Sequence, residues 1–474
     1  TLSLHDALPI YDTKDIDKNV SAAREIAKIV DSMGGKAYYV GGYVRDKLLG
    51  IESKDIDIEV FGISPSRLKD ICSKIGTVDE VGMSFGILKI HGLDLDISIP
   101  RKERQTGPGH KGFNIILDPF STERQAAERR DFTMNAIMLN VVTGEFVDPF
   151  CGRYDLCYEI IRAVNEKTFI EDPLRVFRAA QFAARFNFQI DQDTLDLCKT
   201  IDVSSLARER VFEETNKALM KSQYPSLYFE NLREMNQLDV FFPEVKSLIG
   251  VSQNPAYHPE GDVWNHTMDV LNRAAFKKVS AWDPLGFMYA ALLHDIGKPL
   301  TTENDNGIIR SIGHEIKGAD LSKTALLHLT NKNNLIKYVV NMVENHMGPH
   351  QIQRSSSLKT TNRFLDKCIA PHDQILLGEC DTPKKRVDEY RLYGTGWWAG
   401  RLHEYEKIIA EPEVTGDDLI ALGYEPGPMF SKILKKCHLI HLAGVKKENV
   451  LRQIPSIVAM LNRRDYQYQE YQNN

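Results

Sequence analysis

Residues 39–62 read YVGGYVRDKLLGIESKDIDIEVFG and concentrate several chemistry-bearing groups in one short stretch. Gly41-Gly42 lets backbone N–H groups approach a phosphate closely. Arg45, one turn into the helix that follows, is within reach of the same anion. Asp55 and Asp57 fall on the next strand, where residues two apart face the same side, with Ile56 and Ile58 on the other face. Two carboxylates side by side repel one another unless a cation lies between them, and a hard cation such as Mg²⁺ prefers oxygen ligands. The set reads as a nucleoside triphosphate and metal site for nucleotidyl transfer. A lone DxD would be ordinary surface acid; GGxVRD followed closely by DxD is far more specific.

Further sets lie downstream. Asp94 and Asp96 occupy another expected strand, LDLDISIPR. ERRDFTMNAI (128–137) offers Arg130 beside Asp131, with Asn135 four residues on and on the same face if the segment is helical. EDPLRVFRAAQFAARFNF (171–188) reads as a helix with Pro173 at its first position and Asp172 as N-cap. Asp172 and Arg175 share a face, Arg178 continues that row, and Leu174, Phe177 and Gln181 face inward. In the second half, HPEGDVWNHTMDVL, ALLHDIGKP, GHEIKGAD, NHMGPH and GECDTP supply a spaced His/Asp set. Its members are His266, His294, Asp295, His314, His346 and Asp381. Neutral imidazoles mixed with carboxylates suit a borderline divalent metal.

The elements that must hold these groups follow from periodicity. Val20, Ala23, Ile26, Ala27 and Val30 recur at spacings of three and four, giving a helix over 18–33. Strands are expected near 37–40, 55–61, 77–81, 85–91 and 94–99, with a helix at 65–75. The stretch 105–120, with Gly107, Pro108, Gly109 and Gly112, reads as a loop. From about 153 onward the pattern is almost wholly helical.

A chain of 474 residues needs two to four domains, and 42% hydrophobic with 26% charged residues is an ordinary globular composition. No apolar run approaches the roughly 18–20 residues of a membrane span. A net charge of −6 does not advertise nucleic-acid binding, so RNA contact needs local basic patches. The stretch 101–130 is one, with seven Lys/Arg against four acids. The seven cysteines are scattered without a CxxC pair, which argues against a zinc ribbon and for a reducing, cytoplasmic compartment with no signal peptide. The opening TLSLHDALPI fits nothing that follows, and residues 1–17 are set aside as an artefact or the edge of a fragment.

The motifs together resemble the class II tRNA nucleotidyltransferase and poly(A) polymerase family of the DNA polymerase β superfamily, closest to bacterial CCA-adding enzymes. The resemblance implies an α+β chain: a small mixed α/β nucleotidyltransferase head (18–152), then an all-helical body. The body would comprise a neck and RNA-binding region (153–245), an HD domain (246–385) and a C-terminal tail (386–474). It implies that Asp55 and Asp57 hold Mg²⁺ and that a third carboxylate, best matched by Asp96, assists the attacking 3′-hydroxyl. Gly41, Gly42, Arg45, Arg130, Asp131 and Asn135 would bind triphosphate and sugar. Asp172, Arg175 and Arg178 would read the edges of C and A, buttressed by RERVFEETNKAL (208–219), in which Arg208 or Arg210 would pair with Glu213 or Glu214.

The His/Asp set resembles an HD-domain phosphohydrolase, with His314 and His346 completing a larger set open to two metal ions. Such domains are associated with 2′,3′-cyclic phosphodiesterase, 2′-nucleotidase and phosphatase activities. The implied partners are tRNA or another RNA 3′ end, CTP and ATP, with no membrane and the oligomeric state left open. Poly(A) polymerases and A-adding or CC-adding enzymes use nearly the same motifs, and EDPLR alone does not separate them. A chain acting chiefly as an HD phosphohydrolase, or as a non-catalytic RNA-binding module, is argued against by the intact DxD. In the tail, the Trp397-Trp398 pair fits packing better than base stacking, and Lys432, Lys435 and Lys436 form a basic helix face.

Overall fold

The structure, a computed structural model, describes residues 13–53, 55–79, 86–105, 113–256, 258–382 and 387–462. The chain divides into two compact units, Thr1–Ala218 with Leu227–Val240, and Leu219–Ser226 with Phe241–Asn474.

The first unit opens with α1 (Thr13–Ser32), β1 (Lys36–Tyr39), α2 (Gly42–Leu48), β2 (Ile56–Phe61) and α3 (Pro65–Ile75). Short strands β3 (Val78–Asp79), β4 (Ile87–Ile90) and β5 (Leu95–Ser98) follow. With Met138–Asn140 and Phe146–Val147 they form a seven-stranded sheet in the order β3-β4-β5-β2-β1, then the last two strands. β2 and β5 pair in parallel, which sets Asp57 opposite Asp96. Alternation explains the alignment: Ile56, Ile58, Leu95 and Ile97 are all buried on one face, which sends the intervening aspartates to the other. That buried face is covered by α1 and α3, whose Ile26, Ala27, Val30, Leu68 and Ile71 are also buried.

Most expected elements of this unit are present, with instructive differences. The stretch expected to be a loop contains a strand: Phe113–Leu117 pairs antiparallel with Arg101–Gln105. The glycines and proline of 107–112 dominated the sequence signal, although FNIIL has strong strand composition. ERRDFTMNAI is not an α-helix; a short 3₁₀ turn, Thr133–Asn135, closes instead. The helix after EDP runs from Leu174 to Phe186 with Pro173 at the N-cap position, one residue later than expected. Asp172 still accepts from the Leu174 N–H at 3.2 Å.

In the second unit, Pro284–Leu293 is apolar all round and buried from Gly286 onward, as befits a central helix. Val263–Lys277, Asn333–Asn345 and Pro371–Asp381 pack against it. A fully buried carboxylate, Asp373, ties this bundle by accepting from the Trp282 N–H and the Tyr338 hydroxyl, at 2.9 and 2.6 Å. The body is not wholly helical. Thr302–Asp305 and Ile308–Ser311 form a hairpin through Asn306-Gly307, both at positive φ. Asn-Gly is a strong hairpin signal, overridden in the sequence reading by the helical pattern around it.

Trp398 is 2% exposed and packs with Phe364, Leu365, Ile375, Tyr405 and Leu442. Trp397 lies edge-on against it, with Arg401 over its ring. Trp398→Ala is therefore expected to destabilise this unit by about 3–5 kcal/mol, and Trp397→Ala by less. Denaturant unfolding followed by far-UV circular dichroism checks this; an unchanged midpoint for Trp398→Ala would contradict the packing role.

Candidate functional site

Asp57 and Asp96 sit side by side because the β2–β5 register puts them there, and Asp55, just before β2, is near enough to act on Asp57. Burial and the nearby Asp96 and Asp55 push the Asp57 carboxyl up to about 6, against the pull of Arg130 and Lys89. Lys89 reaches Asp96 at 2.7 Å, a largely exposed contact. This donor set of crowded oxygens is what a hard divalent cation satisfies.

Gly41 has φ of 66°, a conformation that favours glycine. A methyl there would sit 3.1 Å from Arg130 Nη1 and 3.6 Å from Asp57 Oδ2, so the turn passes close to both. Arg130 bonds Glu59 at 3.3 Å, while its buried Nε–H has no partner among the described residues. An unsatisfied cationic donor beside a glycine turn fits an anionic ligand.

Arg45 lies against the same turn, its Nη2 3.5 Å from where a Cβ on Gly42 would stand, and is engaged in the fold. It is 4% exposed, donates to Asp46 at 2.6 and 2.8 Å and to Asn135 Oδ1 at 2.8 Å, and lies over the rings of Phe182 and Phe186. Burial lowers its pKa against the pull of Asp46. Its described contacts join the glycine turn to the Leu174–Phe186 helix, and Arg185 joins the same helix to Asp46 at 3.3 Å.

Asp131 is the centre of a second network. Its Oδ1 accepts from the Phe132 N–H and from Asn135 Nδ2, at 2.8 and 2.9 Å. Its Oδ2 accepts from Arg178 at 2.6 and 2.8 Å. Burial favours its neutral form, but Arg178 and Asn135 outweigh that and hold the carboxyl below the usual range. Arg175 donates to the carbonyls of Thr168 and Arg129 at 2.8 and 2.7 Å. These contacts leave further N–H groups on a guanidinium that carries five. Asp172 pairs with Arg210 at 3.2 Å. Around the expected buttress, Arg210 serves Asp172, Arg208 bonds Glu209, and Glu214 bonds Lys217 and approaches Arg178.

In the second unit the structure brings all six expected His and Asp residues together. His294 and Asp295 follow the central helix, His314 opens its own helix, and His346 closes another. Gly297 has no room for a Cβ against the His314 carbonyl, which lets these segments approach. Two donor groups result: His266, His294 and Asp381, and Asp295, His314 and His346. Asp295 joins them, its Oδ2 3.3 Å from His294 Nε2 and its Oδ1 3.3 Å from His314 Nε2.

The rings are oriented from outside. Nδ1 of His294, His314 and His346 donates to the carbonyls of Ala291, Ser311 and Val343. Nδ1 of His266 bonds Glu260 at 2.7 Å. All four Nε2 atoms are left facing inward, the arrangement that metal-binding histidines require. Burial lowers the His294 pKa, but Asp295 and Asp381 outweigh it and push the ring up to about 10. At His346 burial, His314 and His294 act together and push it down to about 3. Asp295 and Asp381 are held well below the carboxylate range despite burial, by Lys298 and His294 at the first and by His266 and His294 at the second.

Three participants escaped the sequence reading. His258 and Glu260 form a third donor group with His266, and His350 reaches Asp381 at 3.0 Å. The i, i+4 spacing of His346 and His350 was a usable signal; nothing local marked Glu260.

The chain is similar to known proteins throughout this architecture. A poly A polymerase head domain matches residues 37–162, a probable RNA and SrmB-binding site of polymerase A matches 187–249, and an HD domain matches 263–388. A multifunctional CCA protein from Actinobacillus pleuropneumoniae serotype 5b is 35% identical over 412 residues, 84% of this chain and 96% of that protein. Another, from Acinetobacter baylyi, is 40% identical over 290 residues, 60% of this chain and 67% of that protein. Among solved structures, a Bacillus stearothermophilus CCA-adding enzyme in complex with CTP aligns with a TM-score of 0.63 at 19% identity, over 94% of this chain and 99% of that one. A Thermotoga maritima CCA-adding enzyme complexed with tRNA aligns with a TM-score of 0.59 at 20% identity, over 94% and 98%. At these identities the structural likenesses establish the fold alone.

Metal ligation by imidazole needs the neutral ring, and below about pH 10 His294 must lose a proton to bind. Uptake of Mn²⁺ or Ni²⁺ by the His/Asp centre is expected to release about one proton at pH 7. Affinity should weaken about tenfold for each pH unit lowered. Calorimetric titration in buffers of different ionisation enthalpy measures both; pH-independent affinity would contradict the electrostatics described.

Proposed function

The chain belongs to the family of multifunctional CCA proteins, and from that premise we infer that it is a CCA tRNA nucleotidyltransferase. It adds C and A to the 3′ end of tRNA from CTP and ATP, releasing pyrophosphate. The observation that carries this reading is the alignment of Asp57 with Asp96 beside the Gly41 turn and Arg130.

We assign the roles as follows. Asp55 and Asp57 hold Mg²⁺, which when bound supplies positive charge to the triphosphate and to the attacking oxygen. Arg130 and the Gly41-Gly42 backbone fix the triphosphate, and the free Arg130 Nε–H donates to it. Asp96, beside Asp57 in the sheet, accepts the proton of the 3′-hydroxyl. That oxygen then bonds to the α-phosphorus as the bond to the bridging oxygen breaks and pyrophosphate leaves. Asp172 and Arg175 read the base edge from the helix that Arg178 and Asp131 anchor. Arg45 positions this machinery through Asp46 and Asn135 rather than touching phosphate. Positioning and electrostatics supply the rate.

For the second unit, the bridging placement of Asp295 favours a two-metal phosphohydrolase acting on phosphoesters at RNA or nucleotide ends. The mixed imidazole and carboxylate donors suit Mn²⁺, Ni²⁺ or a similar ion. Among the described residues no helix is long and apolar enough to cross a membrane.

The two chemistries should separate by mutation. Asp57→Asn is expected to lower nucleotide incorporation into tRNA lacking its 3′ end by about 10²–10³-fold or more, with hydrolysis of bis(p-nitrophenyl) phosphate retained. His294→Ala is expected to do the reverse. Wild-type incorporation by Asp57→Asn would refute the assignment of the acidic pair.

A further inference from the structure

The hairpin Thr302–Ser311, with the residues just after it, lines a pocket of about 570 Å³ that reaches the His/Asp centre. Such a volume suits a small-molecule ligand. The pocket is lined by Gln253, His258, Ile308, Arg310, Ile312 and His314, among others. Three features of its wall bear on what it could bind. Ile308 and Ile312 are 48% and 80% exposed, although both are large and apolar. Arg310 is exposed, stands opposite Glu303 in the hairpin register, and has no ion-pair partner among the described residues. Gln253 is 7% exposed, and its amide orientation is fixed because Lys298 Nζ donates to its Oε1 at 2.8 Å. Its Nε2 is therefore a donor, and it is buried without a partner.

A buried donor left unmatched costs free energy unless a ligand satisfies it. The hairpin is also tied to the metal-binding residues themselves. The Ser311 carbonyl accepts from His314 Nδ1 at 2.6 Å and so sets the ring whose Nε2 faces Asp295. The same Ser311 bonds Thr302 through its hydroxyl, which holds the base of the hairpin closed.

Resting on the phosphohydrolase reading of the His/Asp centre, we propose that this hairpin pocket determines that centre's specificity by binding a nucleoside phosphate. The Gln253 amide donates to a sugar oxygen. Arg310 supplies donors to the acceptor edge of the base, while the phosphate lies at the metal-binding residues. Ile308 and Ile312 provide the apolar surface against which the base lies. Glu315, also in the lining, offers an acceptor for a sugar hydroxyl or an exocyclic amine. A phosphodiester without a nucleoside reaches the metal-binding residues but cannot use this wall.

The test uses the full chain loaded with Mn²⁺ and compares wild type with Gln253→Leu and Arg310→Ala. Hydrolysis of 2′,3′-cyclic AMP is measured beside that of bis(p-nitrophenyl) phosphate. Each variant is expected to raise KM for the cyclic nucleotide about tenfold, with kcat changed less than about twofold. Neither should raise KM for the nucleoside-free diester, and the metal bound per chain should stay constant, which reports an intact centre. An unchanged KM for 2′,3′-cyclic AMP, or equal losses on both substrates, overturns the proposal. A third substrate, tRNA ending in a 2′,3′-cyclic phosphate, separates the sources: losses on both nucleotide substrates support recognition of the nucleotide itself, and losses confined to the tRNA overturn it in favour of recognition of an RNA end. If wild type hydrolyses none of these, the phosphohydrolase reading fails, and calorimetric binding of 3′-AMP then decides the pocket. Binding weakened about tenfold in the variants supports it; absent or unaltered binding overturns it.

Discussion

Crowding of like charge is the constraint on which the catalytic head depends. Parallel pairing of β2 and β5 holds Asp57 against Asp96, and Asp55 adds a third carboxylate. Two unit charges about 5 Å apart repel by roughly 3 kcal/mol at an effective dielectric of about 20. Burial of Ile56, Ile58, Leu95 and Ile97 on the opposite face enforces that arrangement, because slipping either strand by one residue would send those side chains to the wrong side. The repulsion is visible in Asp57, pushed up to about 6 by burial and by its neighbours. A divalent cation would relieve the charge that this site holds together.

The Leu174–Phe186 helix is fastened to this head by charged side chains working in apolar surroundings. Arg45 lies between Asp46, Asn135 and two phenylalanine rings, and Asp131 gathers Asn135 and Arg178. Each carboxylate in the network has a cationic partner, as burial of charge demands. The second unit solves a related problem by other means. There four imidazoles are held from outside through Nδ1, two of them by carbonyls near helix ends and one by a hairpin carbonyl, and the carboxylates of Asp295 and Asp381 stay ionised among them.

What could be read from the sequence was what depends on short spacing. The alternation through DIDIEVF gave the strand and the shared face of its aspartates. The LLHDIGKP string and the distant histidines gave the membership of the second centre. What could not be read depends on contacts made across the fold. Nothing near Arg45 says that its guanidinium, lying against Gly42, also reaches Asn135, ninety residues on. The pairing of Arg210 with Asp172, 38 residues back, depends on a contact made across the fold. Glu260 and Gln253 matter only through neighbours that the chain brings back to them. The strand Phe113–Leu117 was hidden because turn residues beside it gave the stronger local signal.

The most direct measurement is nucleotide incorporation by the full chain, with Mg²⁺, onto tRNA lacking its 3′ end, using CTP alone, ATP alone and both. Two residues added from CTP alone, and addition that stops at CCA with both, are the predicted result. A long tail from ATP, a single-nucleotide specialist, or no incorporation at all would contradict it.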